Sequence, residues 1–154
     1  GTPLHVLRFP VADLLDAVAD EAALHSPDLG FDVRIDPPDL AVDGDPERLH
    51  QVIANLVENA ARFAPDDTAV ELTARRADDQ VVLEVVDHGP GIPAESLARV
   101  FERFYRTDEA RSADDGGSGL GLAIARWIVE LHGGTIRAEQ VDPHGCRMVV
   151  RLPG

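Results

Sequence analysis

The sequence predicts an α+β fold, a two-layer sandwich with helices on one face of a mixed, mostly antiparallel sheet. Three patterns lead to it. An apolar stripe at helical spacing runs from Pro46 to Phe63. Two strands joined by an acidic turn follow it. A second striped helix then precedes a closing hairpin, so neighbouring strands pair antiparallel.

The elements follow in order. Residues 5–9 are extended up to Pro10, after which Val11, Leu14, Leu15, Val18 and Ala22 recur at helical spacing, a helix ended near 24–26 by Pro27. Phe31, Val33 and Ile35 alternate with Asp32, Arg34 and Asp36, the pattern of a half-buried strand that Pro37-Pro38 breaks. Val42 sits in a short extended piece leading to Asp45. Asp45-Pro46-Glu47 is a strong helix start: an N-cap acid, Pro at the first helical position, and an acid in the first turn. Leu49, Val52, Ile53, Leu56, Val57 and Ala60 form that helix's buried stripe, and Pro65 ends it. Strands over 69–76 and 81–87 turn at Asp78-Asp79. Residues 88–118 lose the periodicity, with a short helix expected over 94–100 and an aromatic cluster at Phe101, Phe104 and Tyr105. The next helix carries Leu120, Ala123, Ile124, Trp127, Ile128 and Leu131 on its expected core face, and His132-Gly133-Gly134 finishes it. Strands over 135–140 and 147–152 close the fold through Asp142-Pro143-His144-Gly145.

Composition narrows the function. The chain has 154 residues, one domain's length, with 44% apolar and 27% charged residues, ordinary globular values. Acidic residues number 28 against 14 basic ones, a net charge of −14, which disfavours general binding to nucleic acid or to an anionic membrane surface. Every basic residue is Arg. The lone cysteine, Cys146, excludes an internal disulfide and a Cys-rich metal site, and fits a reducing compartment. The first residues do not read as a signal peptide, and no apolar run is long enough to span a bilayer, so the chain is expected to be a soluble piece of something larger.

Three groups of residues point to chemistry. Asn55, Asn59 and Arg62 lie on one side of their helix, beside the apolar stripe. Asn is a mediocre helix residue, so the pair is either two surface amides or a source of a hard oxygen ligand. Mg²⁺ keeps several waters, so one such ligand plus nucleotide phosphates suffices, and Arg62 then brings a fixed cation to the phosphate end. Asp87-His88-Gly89-Pro90-Gly91 ends a strand. It is either an ordinary Asp-initiated turn or a carboxylate that accepts from adenine's amino group, with glycines allowing close approach. Gly116-Gly117-Ser118-Gly119-Leu120-Gly121 runs into a helix, and reads as a flexible linker or as a phosphate-binding helix N-terminus. A helical Gly121 costs about 1 kcal/mol relative to Ala. The glycines do not directly follow a strand as in a dinucleotide fingerprint, and the absence of Lys rules out a Walker A loop.

The order of these groups is more specific than any one of them. Asn-x-x-x-Asn on a helix, Asp-x-Gly-x-Gly after a strand, Phe-x-x-Phe in a loop and Gly-x-Gly-x-Gly opening a helix resembles the catalytic ATP-binding domain of sensor histidine kinases, within the GHKL superfamily. The resemblance covers the chain from about Asp45 onward. It implies a Bergerat-like ATP-binding fold with ATP and Mg²⁺ as cofactors. Asn59 is then the metal ligand, with Asn55 and Arg62 at the phosphates and Glu58 as a group able to polarise a nucleophile. Arg62 replaces the family's usual Lys, exchanging a point charge for a planar fork. Asp87 recognises adenine, Gly89, Gly91 and Ile92 shape the base pocket, and Phe101 and Phe104 anchor a lid over about 88–118. Arg106, Gly117, Ser118, Gly119, Leu120 and Gly121 surround the phosphates.

The same resemblance implies a protein-histidine kinase. The phosphoacceptor His sits on a dimerisation domain outside this chain, a response regulator lies downstream, and the parent is a membrane-anchored bacterial sensor with this domain in the cytoplasm. This domain is expected to touch neither nucleic acid nor membrane. Three alternatives share the motifs: a GHKL ATPase, an anti-sigma serine kinase and a non-catalytic nucleotide-binding module. The ATPases place a water-activating Glu where this chain has Asn55. Trp127 reads as core, Cys146 as a strand residue without redox role, and the histidines show no metal-ligand grouping.

Overall fold

The computed structural model describes residues 3–105 and 120–154. Strand β1 (Leu7–Pro10) leads into helix α1 (Val11–His25), then come β2 (Gly30–Asp36), β3 (Ala41–Gly44), α2 (Pro46–Phe63), β4 (Ala69–Ala77), β5 (Gln80–Asp87), α3 (Gly121–Leu131), β6 (Thr135–Gln140) and β7 (Cys146–Pro153). Five strands form one sheet in the order β2-β4-β5-β7-β6. β2 and β4 are parallel, and the other pairs are antiparallel. β1 and β3 pair separately as a two-stranded antiparallel ribbon, a pairing that the pattern of the sequence does not specify. No described helix is long and apolar enough to cross a membrane.

The helices lie side by side on one face, with α2 between α1 and α3. Alternation decides which strand residues meet them. Val70 and Leu72 of β4, Val81, Leu83 and Val85 of β5, and Met148, Val150 and Leu152 of β7 join the core with Leu49, Val52, Ile53, Leu56, Val57 and Ala60 of α2. The α2 stripe is the one that the periodicity predicts. Along the other face, Arg75, Glu84, Arg147, Glu139 and Arg137 form a cross-strand chain of ion pairs, which as a partly exposed network adds little stability per pair.

Two local expectations differ from the structure. Residues 94–100 hold a single 3-10 turn, Ala94–Ser96, rather than a longer helix, because Val100 and Phe101 enter the core and the connecting chain must turn tightly. In α3 the face buried is Ala125, Ile128 and Val129, while Trp127 is 46% exposed and Leu131 also faces solvent. A short helix that is apolar on most sides offers periodicity little to choose between faces. Trp127 is therefore no core residue; its ring carries the Arg48 guanidinium 5.8 Å from its centroid.

Asp45 joins three parts of the fold. Its carboxylate accepts from the N–H of Arg48 at 3.2 Å, capping α2, and from the N–H of His5 at 3.0 Å. The His5 bond, foremost, holds the Asp45 carboxyl below its usual value, against the opposing effect of burial. A carboxylate held low adds stability above its unfolded pKa, and that stability is lost as pH falls through the folded value. Asp45→Ala should therefore cost about 1 kcal/mol at neutral pH. In urea melts the deficit should shrink as the medium is acidified below the carboxylate range.

Candidate functional site

The predicted residues gather along the C-terminal half of α2. Asn55 and Asn59 are half-buried on one side of the helix, four residues apart. Asn55 Nδ2 donates to the carbonyl of Gly121 at 3.0 Å, which places the start of α3 against the middle of α2. The Asn59 amide makes no hydrogen bond among the described residues. Arg62 is exposed in the last turn, and Glu58, three residues on from Asn55, is exposed as well.

The end of β5 abuts the end of α2. A Cβ on Gly89 would fall 2.4 Å from the Phe63 carbonyl oxygen, so only glycine fits there. Gly91 adopts φ +83°, and a Cβ on it would stand 2.8 Å from the Gly145 carbonyl oxygen. The hairpin between β6 and β7 braces this loop. His144 Nδ1 lies 3.0 Å from the Gly89 carbonyl oxygen, and Gln140 Nε2 donates to the Ile92 carbonyl at 3.1 Å. Ile92 itself is partly buried against the core. His144 and Gln140 are supporting residues that the sequence motifs do not mark, because their partners are backbone atoms distant in the chain.

Asp87 is the charged residue at the heart of this arrangement. It is 4% exposed, and its Oδ1 accepts from the Gly89 N–H at 2.8 Å. Burial pushes its carboxyl above the usual value, while the Gly89 bond and the His88 ring pull it back. Cys146 is its register partner on β7. Burial, with the Asp87 charge nearby, raises that thiol to about 12, so it stays protonated and unreactive at neutral pH.

α3 opens at Gly121 without a side-chain cap from the residue before it, and first-turn N–H groups have no partner within their own helix. A Cβ on Gly121 would meet only Asn55 atoms at 3.9 and 4.0 Å, so among the described residues packing does not demand glycine. Leu120 precedes it, partly buried. Arg106, Gly117, Ser118 and Gly119 lie outside the described residues, as does the expected lid segment from 106 to 118. Of the two phenylalanines expected to anchor a lid, Phe101 is buried at 6% exposure, whereas Phe104 is 62% exposed. Phe104 sits at φ +65°, which turns its ring outward beneath the Arg103 guanidinium. Tyr105 packs on the core and shares a 2.7 Å hydrogen bond with Ser96 Oγ.

Among the described residues no group of three or more His, Cys, Asp or Glu is placed to hold a metal. Mg²⁺ can be held by one amide oxygen together with waters and ligand phosphates, and the half-buried Asn59, whose amide makes no hydrogen bond among the described residues, fits that need. An apolar groove of about 280 Å³, lined by Phe9, Asp13, Leu14, Ala17, Pro46 and His50, lies by the starts of α1 and α2, apart from these residues.

A carboxylate with a raised folded pKa favours folding most at low pH, and that contribution is lost as pH rises through the folded value. Removing the charge should therefore help the fold. Asp87→Asn is expected to raise the melting temperature of the ligand-free chain at neutral pH, with the gain fading below the carboxylate range. Calorimetric melts across pH check this.

Known proteins share this fold. Residues 44–154 match the family model described as histidine kinase-, DNA gyrase B- and HSP90-like ATPase. The sensor protein VanS of Enterococcus faecium is 43% identical over 128 residues, which are 83% of this chain and 30% of VanS. A solved structure of the mycobacterial sensor histidine kinase MprB superposes with a TM-score of 0.86 at 30% identity, covering 97% of each chain. Full-length ShkA, solved in complex with AMPPNP, matches with a TM-score of 0.86 at 28% identity over 99% of this chain and 32% of that one. This chain thus spans about three-tenths of the length of the curated relative it matches. It belongs to the histidine kinase-, DNA gyrase B- and HSP90-like ATPase family, as an ATP-binding catalytic domain of the sensor histidine kinase type.

Proposed function

We propose that the domain binds Mg·ATP along α2, with adenine at Asp87 and the phosphates at Asn55, Asn59 and Gly121. It then presents the γ-phosphoryl group to a histidine on a separate dimerisation domain of its own protein. A response regulator receives the phosphoryl group, and the parent is a membrane-anchored bacterial sensor with this domain in the cytoplasm. The carrying observation is the alignment of unlike groups on one helix. A buried carboxylate adjoins one end, an unengaged amide follows one turn back, and an uncapped helix N-terminus meets Asn55 a turn further on. From Phe63 to Asn55 is ~12 Å along the helix axis, enough for an extended nucleoside triphosphate. The complex of ShkA with AMPPNP supports the same reading.

Each group has a distinct task. Asp87 uses its second oxygen to accept from the exocyclic amine, because Gly89 holds the first. Gly89, Gly91 and Ile92 form the wall of the base pocket. Asn59 offers its amide oxygen to Mg²⁺, and the bound ion neutralises charge on the phosphates during transfer. The first-turn N–H groups of α3 and the Arg62 fork hold phosphate oxygens. Asn55 keeps α3 in place, and its amide cannot serve as a base toward water. That favours phosphoryl transfer over the hydrolysis typical of a GHKL ATPase. Acid-labile phosphate on the joined upstream region would separate a histidine kinase from an anti-sigma serine kinase and from a silent binding module.

Two substitutions test the site by calorimetry. Asp87→Asn should weaken ATP binding by about tenfold or more, the loss of a hydrogen bond to a charged acceptor. Unchanged affinity in the folded variant would remove Asp87 from base recognition. Asn59→Ala should abolish the strengthening of ATP binding by Mg²⁺ and stop transfer to a supplied phosphoacceptor domain. Transfer at the wild-type rate would make Asn59 a surface amide.

A further inference from the structure

His132 closes α3 with both ring nitrogens engaged. Nδ1 faces the Ile128 carbonyl oxygen at 2.9 Å, and Nε2 faces the backbone N–H of Asp45 at 3.0 Å. A carbonyl only accepts and an N–H only donates, so Nδ1 carries the proton and Nε2 accepts. The ring packs closely over the start of α2. A Cβ on Gly44 would stand 3.1 and 3.2 Å from His132 atoms and 2.6 Å from Leu49.

A second hydrogen bond between these helices, among the described residues, lies at the other end of α3, where Asn55 Nδ2 donates to the Gly121 carbonyl, and the Arg48 guanidinium over the Trp127 ring lies between the two. On each helix the two ties are about ten residues apart, ~15 Å. Between them Ala125, Ile128 and Val129 make apolar contact with the core. Such contact holds α3 down on the core, and the hydrogen bonds at both ends add the directional ties that set its register along α2.

We propose that His132 is a positioning residue for the phosphate end of the site. By accepting from the Asp45 N–H it sets the register of α3 on α2, and so aligns the uncapped first turn of α3 with Asn55 and Asn59. It touches no substrate. The same Asp45 also receives the N–H of His5, which links the chain entering β1 to the register of α3. The inference rests on the nucleotide reading above for its consequence, though not for the register itself.

The test compares the wild-type 154-residue chain with His132→Leu and His132→Gln. Leu fills the space without an acceptor, and Gln carries an oxygen near the Nε2 position. Mg·AMPPNP binding is measured by calorimetry, and hydrogen exchange is followed at residues 121–124. His132→Leu should bind about two- to tenfold more weakly, the range for one neutral hydrogen bond, and should exchange faster at 121–124. His132→Gln should restore both. A Val150→Ala control, destabilised in the sheet core, should keep wild-type affinity. Wild-type affinity and exchange in His132→Leu, or a Gln variant no better than Leu, would overturn the proposal. Should His132→Leu fail to fold, Gln within twofold of wild type supports it and a tenfold loss overturns it. If the wild-type chain does not bind Mg·AMPPNP, the nucleotide reading fails. The exchange comparison then decides the register on its own: acceleration in Leu supports it, and no change overturns it.

Discussion

A carboxylate at the end of the central strand, sealed from water and held by a single backbone N–H, constrains everything around it. Burial alone would favour its protonation, and the fold does little to relieve that. The surrounding backbone comes so close that side chains are excluded. Gly89 lies against the Phe63 carbonyl, and a Cβ on Gly145 would fall 2.3 Å from the Asp87 carbonyl oxygen. This closeness leaves an acceptor for which water competes little. Groups whose ionisation is penalised by burial in a formed site are functional candidates on physical grounds.

α2 is the ruler on which the other groups are measured. Its start is fixed by the Asp45 cap, its apolar stripe sits on β4 and β5, and its end is locked to the loop after β5. Asn55 and Asn59 therefore have little freedom beyond their rotamers. α3 is the less determined partner, a helix of 11 residues without an N-terminal cap. Its alignment depends on side chains reaching across from α2 and back. The two helices thus divide the work: one sets distances, the other brings the helix N-terminus to them.

Much of this was legible in the sequence where local rules act alone. The limits of α2 follow from Asp45, Pro46 and Pro65, and its buried stripe follows from strong amphipathicity. The strand pairs β4–β5 and β6–β7 follow from short turns. The grouping of Asn55, Asp87 and Gly121 is tertiary, and only the order of motifs pointed to it. Trp127 and Phe104 show where local reading stops. The rotation of α3 is decided by what faces it, and a left-handed backbone at Phe104 cannot be read from an aromatic pair. His132 was legible as a helix end; its bond to Asp45 spans 87 positions and leaves no local signature.

The central claim is that Asp87 selects the base through its exocyclic amine. Calorimetry with ATP and with the purine riboside triphosphate that carries hydrogen in place of the 6-amino group isolates that contact without altering the protein. ATP should bind about tenfold more tightly or better, the worth of a hydrogen bond to a charged acceptor. Equal affinity for the two nucleotides would contradict the account.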